Sequence, residues 1–150
     1  MGIKGKIVYP SYNSSLGIAY EIYLSGCNRN PKCVDCYNPL LWDKDYGDVL
    51  NVSEIKIPWY CDCIVILGGE PLHSLGLYDF IFQLKQNCTN KIYYLYTSYE
   101  LYEIEEKVKQ MFDYIKTGKY ENNLKSEGFF ASSNQKLFKN ENGIWREVLV

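Results

Sequence analysis

The chain has 150 residues, 47% of them hydrophobic, and a formal net charge of −2. That length and apolar content exclude a disordered chain and predict a single globular domain over residues 1–150. The nearly balanced charge excludes a broad basic field for nucleic acid, and no run of about 18 apolar residues is present to span a membrane. The N-terminus lacks the apolar stretch of an export signal. The six cysteines are therefore read as cytoplasmic thiols, available for metal or redox chemistry rather than for disulfides. Fifteen Tyr against six Phe and three Trp favour a β-rich or half-wet interior.

In chain order, the first 16 residues carry a short apolar patch, Ile7-Val8-Tyr9, read as an entry segment or edge strand. Residues 19–25 alternate, with Tyr20, Ile22 and Leu24 on one face, and predict a strand. A cysteine-rich loop leaves its C-terminal end, and residues 39–42 begin a short helical turn. Residues 43–60 are polar and broken by Gly47 and Pro58, so a loop with at most one short element is expected. Residues 63–67, Cys-Ile-Val-Ile-Leu, are wholly apolar, as in a strand buried on both faces of a parallel sheet. The spacing of Leu77, Phe80, Ile81 and Leu84 predicts a helix over residues 77–87, with Ser74 as its N-cap. A strand at 91–97 follows. A second helix at 101–112 carries Leu101, Ile104, Val108 and Met111 on one stripe, with Glu103–Lys107 and Glu105–Lys109 as i,i+4 pairs. A fourth strand at 113–116 leads to a polar stretch. The chain closes with a hairpin, 136–138 and 144–150, turned by Asn140-Glu141-Asn142-Gly143.

Strands alternating with helices imply an α/β fold on a mostly parallel sheet. Ligands of such folds sit at the C-terminal ends of the strands. The cysteine loop, Gly68-Gly69-Glu70-Pro71, Thr97-Ser98-Tyr99 and Thr117-Gly118 all leave those ends, so four distinctive stretches converge on one edge. Cys27, Cys33 and Cys36 fall within ten residues. Three thiolates in one loop suit a soft metal or an iron–sulfur cluster and leave one metal position open; the plain alternative is three unrelated thiols. Gly68 and Gly69 let backbone approach a ligand, and Glu70 supplies a carboxylate for an ammonium group; the plain alternative is an ordinary strand-to-helix turn. His73, the only histidine, has two readings, a ligand contact and a polar residue near the helix start, of which the second is preferred. Cys61 and Cys63 are placed on one strand face and, with Cys88, are read as buried structural thiols rather than second-cluster ligands.

These stretches resemble the radical S-adenosylmethionine enzymes, and among them the activating proteins of the anaerobic (class III) ribonucleotide reductases. The resemblance is carried by Leu24-Ser25-Gly26-Cys27, Cys36-Tyr37-Asn38 with Trp42-Asp43, and Leu67-Gly68-Gly69-Glu70-Pro71-Leu72-His73. Further on it is carried by Tyr96-Thr97-Ser98-Tyr99-Glu100, Asp113 with Thr117-Gly118-Lys119-Tyr120, and Ser132-Ser133-Asn134-Gln135. It implies a truncated partial (β/α) barrel and a 4Fe–4S cluster held by Cys27, Cys33 and Cys36. S-adenosylmethionine would bind the fourth iron and be lined by Asp35, Tyr37, Gly68, Gly69, Glu70 and Thr97. It implies an oxidoreductase that cleaves this cofactor reductively to a 5′-deoxyadenosyl radical, which takes hydrogen from a glycine of the reductase's large catalytic subunit. A small electron donor such as flavodoxin would supply the electron.

The chain departs from that family in several places. Five residues, not the usual three, separate Cys27 from Cys33. Ser98 and Ala131 stand where Gly is usual, and Thr117 replaces a common Asp. A Gly-rich, Arg-containing segment is missing before Ala19, and the stretch between Trp42 and Cys61 is short for the usual helices. Two other readings share part of the pattern: another small radical enzyme, such as a 7-deazaguanine-forming synthase or a peptide modifier, and a non-enzymatic metal-binding interaction module.

Overall fold

The computed structural model describes residues 3–26 and 39–149. Its elements are β1 (Lys4–Ser11), β2 (Ala19–Leu24), β3 (Asp48–Val49), β4 (Cys63–Gly68), α1 (Leu77–Asn87), β5 (Ile92–Tyr96), α2 (Glu106–Lys109), β6 (Tyr114–Thr117), β7 (Lys136–Glu141) and β8 (Ile144–Val148). One sheet holds all eight strands in the order β3-β1-β2-β4-β5-β6-β7-β8. The fold is α/β, but the expectation of a mostly parallel sheet is corrected. Among the described residues only β2–β4, β4–β5 and β5–β6 pair in parallel, and the other four strand pairings are antiparallel. β1–β2 and β7–β8 are joined by short links, which reverse direction, whereas parallel neighbours need a crossover; β1–β3 and β6–β7 are antiparallel across longer connections. Asn142 and Gly143, at φ 55° and 89°, make the tight two-residue turn between β7 and β8 that positive φ at both positions demands. Among the described residues, no helix is long and apolar enough to cross a membrane.

The parallel centre positions the site. β4 is buried through Leu67, and the register runs Ala19↔Cys63 to Leu24↔Gly68, then Cys63↔Ile92, then Tyr94↔Tyr114. The C-terminal ends of β2, β4, β5 and β6 therefore lie side by side. One sheet face carries Tyr20, Ile22, Leu24, Ile64, Ile66 and Leu95 and packs against Leu77, Phe80, Ile81 and Leu84 of α1. The predicted helix and its apolar stripe stand as read. The other face carries Ala19, Cys63, Val65, Leu67, Tyr94, Tyr96 and Tyr114, with Phe129 and Phe130 packed on it. Tyr94 stacks on Tyr114 at 4.6 Å. The tyrosine hydroxyls are satisfied by the loop above: Tyr94 pairs with Ser15 Oγ at 2.5 Å, and Tyr96 donates to the Asn13 carbonyl.

Several local expectations are corrected. The helix predicted over 101–112 is a 3₁₀ turn, Leu101–Glu103, followed by the four-residue α2. Glu103 turns back to accept the Glu100 N–H at 2.9 Å, and Ile104 and Glu105 are extended at ψ 132° and 134°, which ends the first turn. Ile104, Val108 and Met111 are nevertheless buried, so the apolar spacing reports burial without a continuous helix. The expected pairs are exchanged for Glu106–Lys109 at 3.0 Å and Glu105–Lys107 at 3.9 Å. Ser74 does not cap α1; it closes the 3₁₀ turn Pro71–His73, and the left-handed Gly76 occupies the cap. Residues 43–60 hold two short elements rather than one, β3 and the turn Val52–Glu54. Cys61 and Cys63 are both buried but in the clusters on opposite sheet faces, because Cys61 precedes the strand in a turn, its N–H on the Pro58 carbonyl.

Lys116 of β6 runs under the aromatic cover. Its ammonium lies 4.2 Å from the Tyr96 ring centre and 4.8 Å from that of Phe129, with the Phe129 carbonyl at 3.5 Å. Burial lowers its pKa to about 8, opposed by the charge of Glu21, which is itself buried and accepts from Asn13 Nδ2 and Tyr23 Oη. Between about pH 8 and 10.5 the unfolded chain holds the extra proton, so wild-type stability climbs with pH in that window. Lys116→Met should then stabilise the fold at neutral pH, by the order of 2 kcal/mol once the lost ring contacts and the unpaired Glu21 are offset. The gain should shrink towards pH 10. Urea denaturation at the two pH values measures it, and a pH-independent difference would contradict the assignment.

Candidate functional site

The site begins with backbone. At the end of β2 the Gly26 N–H donates to the Leu41 carbonyl at 2.6 Å, and the Gly26 carbonyl accepts the Glu70 N–H at 2.7 Å. Residues 26 and 41 are thus pinned together, closing the base of the segment between them on the turn after β4. Gly69 N–H donates to the Leu24 carbonyl at 3.0 Å. A Cβ on Gly69 would collide with the carbonyls of Gly26 and Leu41, the latter at 2.6 Å, and Gly68, at φ 140°, would collide with Leu24 backbone. Both glycines have a reason inside the fold: the two chain segments cross with no room for a side chain.

Glu70 follows, 1% exposed. Its Oε2 accepts the Leu72 N–H at 3.1 Å and the Thr97 hydroxyl at 2.7 Å. Its Oε1 accepts the Ser98 N–H at 2.7 Å and the Ser98 hydroxyl at 2.6 Å. Two donors on each oxygen fill the four lone-pair positions of a carboxylate. The carboxylate thereby ties the turn after β4 to the turn after β5. Thr97 is itself fixed: its hydroxyl oxygen accepts the Tyr99 N–H at 3.2 Å, and its N–H donates to the Lys116 carbonyl at 2.9 Å. Tyr99 carries the chain of bonds onward, its carbonyl accepting the Gly118 N–H at 3.3 Å, while its hydroxyl pairs with His73 Nε2. The polar knot completes the edge, with Gln135 Nε2 on the Gly118 carbonyl at 3.0 Å and Asn134 Nδ2 on the Lys119 carbonyl at 2.8 Å.

The four predicted strand ends do meet on one edge, joined by this network. Of the site residues expected from sequence, the structure brings Gly68, Gly69, Glu70 and Thr97 together. Cys27, Cys33, Cys36, Asp35 and Tyr37 lie outside the described residues. Sequence reasoning placed Thr97 against a ligand; its hydroxyl points to Glu70. It gave no role to Tyr99, Asn134 or Gln135 beyond family likeness, and it counted Ser98 only as a departure. The 27- and 28-residue separations of Thr97 and Ser98 from Glu70 carry no local signal. Among the described residues no group of three or more His, Cys, Asp or Glu stands ready to hold a metal ion. A cavity of about 680 Å³ opens beside the turn, with Ser25, Gly26, Lys44, Asp45, His73 and Leu75 in its lining. That volume is in the range of small-molecule sites.

Comparison with known proteins adds a family and relatives. The profile of a family described as a 4Fe–4S single cluster domain matches residues 15–138. Three relatives carry the name anaerobic ribonucleoside-triphosphate reductase-activating protein. The one from Enterobacteria phage T4 is 26% identical over 93% of this chain and 96% of its own. That from Haemophilus influenzae is 28% identical over 66% and 70%, and that from Escherichia coli 27% over 79% and 86%. The resemblance carried by the motifs therefore holds along nearly the whole chain.

The network makes two predictions. Thr97→Val should lower stability by roughly 1.5–3 kcal/mol, because a buried carboxylate loses a donor, while Thr97→Ser should recover most of it. Gly69→Ala should cost at least about 2 kcal/mol, because backbone rather than a flexible side chain must give way. Thermal unfolding of the full chain measures both. A Gly69→Ala protein as stable as wild type would show that the crossing is looser than described.

Proposed function

This chain belongs to the family of 4Fe–4S single cluster domains, and from that premise we propose that it is a glycyl-radical activating enzyme of the radical S-adenosylmethionine type, acting on the large catalytic subunit of an anaerobic ribonucleotide reductase. The observation that carries the reading is the joint at Gly26, Gly69 and Glu70. A fixed, buried carboxylate is bonded through its own backbone to the residue before Cys27. The names of the relatives supply the partner.

The donor set fits the groups. Cys27, Cys33 and Cys36 would give three thiolates to a 4Fe–4S cluster, in a segment whose base is closed by the Gly26–Leu41 bond. When bound, the cluster and S-adenosylmethionine supply one-electron cleavage of a sulfonium C–S bond and a carbon radical able to take a glycine hydrogen atom. The chain's own residues orient and shield. Glu70 would hold the cofactor's ammonium group, as a carboxylate whose position is set before the ligand arrives. Thr97 fixes that carboxylate, Gly68 and Gly69 let the turn that carries it pack on Gly26, and the backbone around Asp35 and Tyr37 would line the cofactor. In this reading residues 1–150 are one radical S-adenosylmethionine domain, and the open sheet is a truncated partial barrel. A full barrel needs about 250 residues; the shorter one leaves a side open for a protein loop carrying the target glycine. The protein would work in the cytoplasm with a small electron donor such as flavodoxin.

The test is anaerobic reconstitution with iron and sulfide, followed by reduction with S-adenosylmethionine and the cognate reductase subunit. Formation of 5′-deoxyadenosine and methionine, together with a glycyl signal in electron paramagnetic resonance, is the expected result. Cys27→Ala, Cys33→Ala and Cys36→Ala should each lose the cluster, while Cys61→Ala keeps its iron. Cofactor cleavage without a glycyl signal would hand the protein to another class of small radical enzyme. Zinc in place of iron and sulfide would make it a binding module.

A further inference from the structure

The turn between β4 and α1 has a hollow on each side, and its residues 73–76 line both. The second hollow, about 420 Å³, lies between the start of α1 and the stretch 103–108. Its walls are largely apolar, with Leu72, Leu77 and Tyr78 from one side and Ile104 and Val108 from the other. Leu75, also in the lining, is 93% exposed. Along α1 the apolar surface continues from Tyr78 to the exposed Phe82, whose rings stack at 6.2 Å. Tyr102, the chain neighbour of Glu103 in the lining, is 84% exposed. Single exposed apolar side chains are ordinary, but a hollow with apolar walls bordered by several of them marks a contact surface. Gly76 shows that the fold does not fill it: the residue is left-handed at φ 84°, and a Cβ there would meet nothing within 4 Å.

The rim of this groove carries one sign of charge. Residues 100–109 hold Glu100, Glu103, Glu105 and Glu106 against Lys107 and Lys109. Both lysines are engaged inside the chain. Lys107 lies 4.9 Å from the Tyr78 ring centre and 3.9 Å from Glu105, and Lys109 lies 3.0 Å from Glu106. No salt bridge among the described residues reaches Glu100 or Glu103, and exposed Asp79 adds a further acid from α1. The chain as a whole carries only −2, so the excess is local.

We propose that this groove is a docking site for a positively charged protein segment with an apolar tip. The tip enters the hollow, and the Lys or Arg residues beside it meet the glutamates of the rim. In the reading given above, on which this inference rests for its partner, the segment belongs to the large catalytic subunit of the reductase. A hollow of this size takes one or two side chains, whereas a stable protein interface buries about 800 Å² on each partner. The groove is therefore the anchor of a wider contact, which Leu75 and Tyr102 extend. Leu72 and His73 of its lining follow directly on Glu70-Pro71, so a partner anchored here is held at the edge where the strand ends meet. The acidic rim raises the encounter rate for a basic segment and disfavours acidic proteins.

The test titrates the purified large reductase subunit into the anaerobically reconstituted full-length protein, at low salt and at ~0.5 M salt. Wild type should bind, and more weakly at high salt. Glu105→Lys should bind roughly three- to tenfold more weakly at low salt, and Glu103→Gln should weaken binding in the same direction, each with a smaller loss on adding salt. Leu75→Ser should weaken binding at least about tenfold at both salt concentrations. Glu127→Lys changes the net charge as Glu105→Lys does, but lies beside the aromatic cover of the other sheet face, and should bind as wild type. Thermal transitions show that each variant is folded. Tighter binding by Glu105→Lys overturns the basic character of the partner segment. Weakening by Glu127→Lys equal to that by Glu105→Lys overturns the site, because only net charge or the other face would then matter. If wild type binds and Glu105→Lys and Leu75→Ser bind as well as it does, the docking site falls while the activating role stands. If wild type does not bind the subunit at all, the reading beneath fails and takes this inference with it.

Discussion

Everything at the working edge of this sheet depends on one buried carboxylate and the donors that reach it. A carboxylate taken out of water costs several kcal/mol unless its oxygens are paired. Glu70 meets that cost with donors from two turns, Leu72 on its own side and Thr97 and Ser98 across the sheet. Because each donor is bonded onward, the constraint spreads. Thr97 is held by β6, Tyr99 reaches Gly118, and Gly118 is held by Gln135. In the other direction the Glu70 N–H sits on Gly26, where the cysteine-bearing segment leaves the sheet. The strand ends share one hydrogen-bonded frame, and moving any turn breaks bonds in its neighbour.

The parts of this frame that the sequence shows are those whose cause is local. The alternation of residues 19–25 and the apolar run of 63–67 depend on neighbours within a few positions, as does the spacing of Leu77, Phe80, Ile81 and Leu84, and all three became the expected elements. Residues 101–112 show the limit. Their apolar spacing is satisfied by burial, but the bond between Glu103 and the Glu100 N–H and the extended Ile104 and Glu105 broke the helix. The parallel fraction of the sheet was overestimated for a similar reason. Among the flanking strands only the β7–β8 pair, turned at Asn142-Gly143, was legible as a hairpin; β1–β3 and β6–β7 pair antiparallel across long connections that carry no local signal. At the site, Gly68, Gly69 and Glu70 stand out by residue type. The partners of Glu70 do not, because Thr97 and Ser98 reach it only through the β4–β5 register.

The two faces of the sheet are covered by different means, and this bears on access. Apolar side chains of α1 seal one face, as expected beneath a crossover helix. The other face is lined by Tyr94, Tyr96 and Tyr114 and covered by residues around Ser15 and Phe129. Phenols suit such a face because the ring packs while the hydroxyl reaches a loop. Loops can be rearranged at lower cost than a packed helix, so the tyrosine face carries the less rigid cover.

Rigidity at this site comes from backbone and side chains in succession. The position of Gly26 relative to the turn after β4 is fixed by backbone alone, through a crossing at Gly26 and Gly69 that excludes even a methyl group. The direction of the carboxylate is fixed by four donors from two turns. Preorganisation of this kind favours binding because a ligand does not have to order the groups that receive it. Ser98, where the chain departs from the family pattern, gives Glu70 two of those four donors, so the departure is itself part of the frame.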